Sequence, residues 1–250
     1  VDFTGSAAVH PRNLNATPAI VRSALIYVLR LMAGRELPLN EGLMRDVDLV
    51  LPEGMLAPRF GDDPGRCPAV VGGNVETSQR IVDVLVRAFG LAASSQGTMN
   101  NVIFGNAGFS YYETIGGGTG AGNGFDGASG VHSHMTNTAI TDPEILETRM
   151  PIRLERFALR NGSGGTGRFR GGEGVERIIR FLQTVDISLL TQRRGAGPAG
   201  AAGGRAGAPG EQWLDRAGGG RETLGAVSGT LAHPGDRLVI RTPGGGGWGA

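Results

Sequence analysis

YYETIGGGTGAGNGFDG, residues 111–127, is the stretch on which the reading of this chain turns. Its first five residues are strand formers with one carboxylate, Glu113. Seven of the next twelve are glycine, and the rest are small or polar except Phe125. A run this bare of Cβ atoms permits close backbone approach to a ligand or another chain. A surface loop without a partner is the competing reading. The stretch also marks a boundary, because 12 of the 45 glycines fall in residues 1–115 and 33 in residues 116–250.

Before that boundary the pattern is α/β. Thr17-Pro18 is an N-cap followed by proline at the first helical position. Ile20, Val21, Ala24, Leu25, Val28 and Leu31 then form one apolar helical face that ends at Gly34. A second helix is expected from Asn74 to Phe89, stopped by Gly90. On it Glu76 and Arg80 stand at the spacing of an i, i+4 ion pair. Asp46 to Leu51 alternates like a strand. After the boundary the pattern is mainly β. Met99–Phe104 and Phe109–Ile115 read as a hairpin about Gly105-Asn106-Ala107-Gly108. Ile152–Leu159, Gly174–Phe181, Val185–Thr191, Glu211–Asp215 and Arg237–Arg241 read as further strands. The expected class is α+β: a helix-bearing α/β part over 1–150 and a glycine-rich part over 151–250, barrel-like or sandwich-like. Gly195–Gly210 is expected to be a long loop.

With 250 residues, 40% of them hydrophobic, and a net charge of +1, the chain can bury a core despite its glycine. All 24 basic residues are arginine, so neither a Walker-type phosphate loop nor a Schiff-base lysine is available. A single cysteine, Cys67, excludes an internal disulfide framework and zinc sites built on cysteine pairs. Basic and acidic residues balance, without the basic excess of a nucleic-acid binder. The most apolar stretch, Pro18–Ala33, is interrupted by Arg22 and Arg30, which argues against a membrane span. A chain that begins at Val1 without methionine or a leader pattern is expected to be a processed or excised piece, soluble and cytoplasmic.

Two segments, 122–127 and 162–167, match G-x-G-x-x-G. Neither is followed by a helical pattern, so neither reads as a dinucleotide fingerprint. The chemistry-bearing residues cluster instead at 95–138. His132 and His134 would share a face if they lay in a strand, and with Glu113 or Asp126 they would begin a metal site. Glu113 suits a general base if partly buried, and equally a structural ion pair with an arginine. Ser95-Gln96-Gly97-Thr98-Met99-Asn100-Asn101 and His134-Met135-Thr136-Asn137-Thr138 are dense in uncharged hydrogen-bonding groups, as in a polar pocket. A capped turn accounts for the first cluster almost as well.

Read in order, DFTGS (2–6), NLNATPA (13–19), LPLNEG (37–42), VVGGNVETSQR (70–80), SQGTMNN (95–101), YYETIGGGTGA (111–121), HMTNT (134–138), the run 153–172 and TPGGGGWG (242–249) resemble the hydantoinase B/5-oxoprolinase family. Its relatives include the acetone carboxylase α-type subunits. The resemblance spans the chain and corresponds to roughly the C-terminal half of a B-type subunit. It implies hydrolysis of an activated cyclic amide, with ATP handled by a hydantoinase A-like ATPase partner. It also implies that the N-terminal half of the subunit, with most ligands of any divalent metal, is either supplied by a partner chain or missing from a truncated product that cannot act alone. On this reading Glu113 and His134 are acid/base or substrate-orienting groups. Gln96, Asn100, Gly116, Gly117, Asn137 and Thr138 contact substrate. Two alternatives stay open: a ketone carboxylase subunit, and a non-catalytic assembly module whose glycine loops pack against partner chains.

Overall fold

A computed structural model describes residues 1–250. Three helices and nine strands account for the regular structure: α1 (Pro18–Ala33), α2 (Ser78–Ala88), β1 (Asn101–Asn106), β2 (Phe109–Glu113), α3 (Pro143–Arg149), β3 (Ile152–Arg160), β4 (Gly174–Phe181), β5 (Val185–Leu190), β6 (Glu211–Asp215), β7 (Arg221–Thr223), β8 (Val227–Ala232) and β9 (Arg237–Arg241). α1 begins at the expected proline and ends on Gly34, which takes a left-handed φ of 60° and returns its N–H to the Leu31 carbonyl. Val21, Ala24, Leu25 and Val28 are its buried face and meet Ile81, Val82, Leu85 and Val86 of α2 in one apolar cluster.

The strands form two antiparallel sheets, ordered β2-β1-β5-β8 and β3-β4-β9-β6-β7. Alternate residues of both sheets meet in a second cluster. Val102, Phe104, Ile187 and Leu189 come from the first sheet, and Ile152, Ile179, Phe181, Leu214, Leu238 and Ile240 from the second. Two sheets across one core make a sandwich, and no closed barrel is present. β1, which carries β2 on its other edge, pairs with β5 from after residue 150, so the first sheet crosses the expected part boundary.

The expected strand at Asp46–Leu51 does not form. Val50 makes one isolated bridge to Asp2, and Val47, Leu49 and Leu51 use their alternation to pack on the helical cluster without a partner strand. The second helix begins differently from its pattern. Gly73–Thr77 is a π-helical turn, and the α-helix proper starts at Ser78. β7, β8 and α3 are additions that their short or polar sequences did not announce.

The glycine-rich segments do not loop over the surface. Residues 117–121 and 243–249 are largely buried, and the part-buried segments 163–172 and 198–208 lie alongside and bond to them through their backbones. Successive N–H groups of Gly244, Gly245, Gly246 and Gly247 go to four different carbonyls, those of Ala208, Gly172, Ser94 and Arg205. Gly118 and Ala121, three apart, donate to Pro243 and Gly246, also three apart. The run 244–247 makes no bonds within itself, and its three-residue period against 118–121 is the pattern of polyproline II chains packed together. Such packing leaves no space for Cβ atoms. One on Gly118 would enter the Gly172 carbonyl, and one on Gly245 the Thr119 carbonyl. The close approach expected of residues 116–127 is therefore made to the chain's own later segments. Neither G-x-G-x-x-G match precedes a helix.

Candidate active site

The glycine bundle forms one wall of a cavity of about 510 Å³, and α1 and α2 form the other. Leu31, Val86, Leu91, Ala92 and Phe125 make it apolar, while Tyr27, Ser95, His132, Ser133 and His134 gather at its polar parts. His134 lies in a turn closed by the Thr136 N–H on the Ser133 carbonyl, and its φ of 54° is unusual for a residue with a Cβ. Its ring stands between two partners. Nδ1 is 3.4 Å from the Tyr27 hydroxyl, and Nε2 is 3.7 Å from Asp83 Oδ1.

Asp83 is itself buried and held in place. Its Oδ1 accepts the Ser95 N–H at 2.9 Å, and its Oδ2 pairs with Arg193 at 3.1 Å. Gly97 makes this possible, since a Cβ there would stand 2.8 Å from Asp83 Oδ2 and 3.1 Å from Arg193 Nε. Asp83, His134 and Tyr27 thus form a line of carboxylate, imidazole and phenol that ends at the cavity. Burial pushes the His132 imidazole below its usual range and the Tyr27 phenol above its own. His132 is therefore neutral near pH 7, and its Nδ1 is buried without a partner. That nitrogen, His134 Nε2 and the Ser133 hydroxyl are unsatisfied polar atoms on residues lining one cavity. The histidines share it through a turn rather than through strand alternation.

The other residues singled out in the sequence divide into two groups. Gln96, Asn100, Gly116 and Gly117 come together, inside the wall rather than on it. Asn100 Nδ2 donates to Gln96 Oε1 at 2.8 Å and to the Ile115 carbonyl at 3.0 Å. Gly117 pairs both ways with Val131. Asn137 and Thr138 are exposed beyond His134, where Thr138 meets the Thr114 hydroxyl at 2.6 Å. Glu113 is apart from the cavity and takes the ion-pair role left open for it. Its Oε1 accepts Arg177 Nε at 2.8 Å, and its Oε2 accepts Arg177 Nη2 and the Tyr111 hydroxyl, each at 3.1 Å. Arg177 is fully buried, so both carboxylate oxygens are committed to anchoring β2 against β4. The third metal ligand expected from Glu113 or Asp126 is not near, and no three His, Cys, Asp or Glu side chains converge anywhere in the chain.

Sequence reasoning missed Asp83 and Tyr27 beside His134, and it misread Glu76. The i, i+4 pairing with Arg80 assumes an α-helix, but the π turn over 73–77 changes the phase, and Glu76 points inward. It is 1% exposed. Its Oε1 accepts the Thr98 hydroxyl at 2.9 Å, the Met99 N–H at 3.1 Å and the Asn101 amide at 2.7 Å. Oε2 has no partner. Burial pushes its carboxyl up to about 8, outweighing these bonds and the nearby Arg194, so it carries a proton at pH 7. A carboxylate next to two small turn residues, Gly72-Gly73, was the only signal available.

An antiparallel sandwich joined to a helical pair by a glycine bundle, with histidine and tyrosine at a cavity between them, defines an α+β protein. The chain belongs to the Hydantoinase B/oxoprolinase family, whose profile matches residues 1–250. It is 46% identical over 249 residues to 5-oxoprolinase 1 of Arabidopsis thaliana, with 100% of this chain and 19% of that protein aligned. To 5-oxoprolinase of Dictyostelium discoideum it is 45% identical over 248 residues, covering 99% of this chain and 19% of that protein. The chain thus spans about a fifth of the length of these relatives. The crystal structure of ATP-dependent caprolactamase from Pseudomonas jessenii superposes with a TM-score of 0.77 at 25% identity, covering 98% of this chain and 45% of that one. Nucleotide-free acetone carboxylase superposes at 0.79 with 18% identity, covering 99% and 39%, a likeness of fold. No helix is long and apolar enough to cross a membrane.

Proposed function

We propose that this chain is a portion of an ATP-dependent enzyme that opens a small cyclic amide of the hydantoin, 5-oxoproline or lactam type. The carrying observation is the Asp83–His134–Tyr27 line at the end of a cavity with apolar walls. The identity to 5-oxoprolinases along the whole chain supports the same class. Leu31, Val86, Leu91 and Phe125 take the ring carbons. His134 transfers the proton, first from water and then to the leaving ring nitrogen, while Asp83 stands beside its Nε2 and orients the ring. Tyr27 and His132 hold the polar edge of the ring. Gln96 and Asn100, with Gly116 and Gly117, act from behind by fixing the wall. Asn137 and Thr138, exposed beside His134, meet the substrate's polar rim or the chain that covers it. Glu113 anchors the sheets and takes no proton.

ATP is handled on a partner of the hydantoinase A type, in keeping with a chain that has no lysine. A divalent ion would polarise the amide carbonyl. With no three ligating side chains together here, its ligands come mainly from the rest of the subunit, and the chain alone is inactive. The test assembles the chain with the remainder of its subunit and the ATPase, and follows ATP-coupled opening of hydantoin, 5-oxoproline and caprolactam. Absence of turnover on all three refutes the reading, and bicarbonate-dependent loss of acetone instead identifies a ketone carboxylase. Unchanged turnover in His134→Ala identifies an assembly module.

A further inference from the structure

α2 has a cavity on each side. Val86 lines the histidine cavity, and Gln79 and Asp83 on the same face touch Ser133 and His134; Arg80, Ile81 and Val84, from the opposite face, with Thr77 just before the helix, line a second cavity of about 320 Å³. We infer that this second cavity binds a small aliphatic monocarboxylate, its carboxylate paired with Arg80 and its hydrocarbon part lying among Phe3, Leu14, Met55, Leu56, Ile81 and Val84.

Charge carries the argument. Most arginines packed against this fold have a carboxylate within 4 Å, but half-buried Arg80 has neither an ion pair nor a side-chain hydrogen bond. Its acidic neighbours are already committed. Asp83 is bound to Arg193 and the Ser95 N–H. Glu76, also on the cavity wall, is uncharged near neutrality and keeps one oxygen without a partner. A half-buried guanidinium whose acidic neighbours are bound elsewhere is open to a carboxylate, which satisfies it with two parallel hydrogen bonds. One free cation calls for one negative charge, and the six apolar side chains call for a short hydrocarbon body. Gln192 and protonated Glu76 provide further polar contacts for the head group. The cavity lies at the lower end of the usual size for small-molecule sites, which suits a ligand of a few carbons.

This inference does not rest on the hydrolase reading, because the two cavities are separated by the helix. The test titrates butyrate and its neutral isostere butyramide into the full 250-residue chain at pH 7 by calorimetry. Butyrate is expected to bind saturably and butyramide at least tenfold more weakly. Arg80→Gln weakens butyrate tenfold or more, and Val84→Trp abolishes binding. Val84 is 58% exposed, so the larger ring fills the cavity mouth without entering the core and decides the matter if Arg80→Gln misfolds. His134→Ala leaves butyrate binding unchanged. Equal binding of acid and amide, no effect of either cavity variant, or no saturable binding overturns the proposal. Displacement of butyrate by equimolar inorganic phosphate overturns the assignment to monocarboxylates.

Discussion

Glu76→Gln isolates the contribution of a single buried proton to the stability of this fold. Unfolding returns the Glu76 carboxyl from about 8 to its ordinary 4.5. Between those values the native state binds a proton that the unfolded state has released, so stability falls as pH rises. The full stabilisation is present below pH 4.5 and is lost on approaching pH 8. At about 1.4 kcal/mol per pH unit, the loss between pH 5 and pH 8 is roughly 3–4 kcal/mol. Glutamine retains an oxygen that can accept from Thr98, Met99 and Asn101, and it cannot ionise. The variant should therefore match the parent near pH 5 and exceed it by roughly 3 kcal/mol at pH 8. Urea unfolding at pH 5, 6, 7 and 8 measures both, and the difference between the chains cancels the titration of the histidines. A difference that stays constant within about 0.5 kcal/mol across that range would refute the reasoning.

In the assembled enzyme, His134→Ala should lower kcat by about a hundredfold, as for loss of an acid/base group, read from initial rates of ring opening. Asp83→Asn, which removes the carboxylate beside the His134 ring and the partner of Arg193, should lower kcat by less than His134→Ala does; an unchanged kcat assigns Asp83 to structure alone. Arg177→Met leaves Glu113 buried and unpaired and should cost about 3–5 kcal/mol in urea unfolding, with much of the loss recovered in the Glu113→Gln, Arg177→Met double variant. Gly118→Ala should destabilise by more than about 4 kcal/mol. Gly218→Ala, where nothing lies within 4 Å, should change the unfolding midpoint by less than about 0.5 kcal/mol.

Much of the sandwich was legible in the sequence, because a strand with one buried face writes its period into the chain. Gly174–Phe181, Glu211–Asp215 and Arg237–Arg241 have the limits that alternation assigns them. Asp46–Leu51 shows the converse: alternation reports one buried face but not whether a partner strand stands alongside. His134 was legible through the scarcity of histidine. Its partner Asp83 was not, since a carboxylate in an amphipathic helix reads as solvated until the Ser95 and Arg193 segments are folded against it. Glu76 was misread for a local reason, because the π turn that aims it inward needs only one extra residue in the turn.

The glycine bundle also sets an order of events for the folding chain. Its central run, Gly244–Gly247, receives no stabilisation from its own neighbours in sequence, and every bond it makes reaches a distant segment, the farthest at Ser94. Segments this far apart must first be brought together against loop-closure entropy. α1 and α2 can pair early, and the strands can register, but the wall behind His134 closes only when residues 243–249 slide between the waiting glycine segments. The cavity is therefore a late product of folding, and during synthesis a nascent chain lacking this run would carry every residue of the site without having the site.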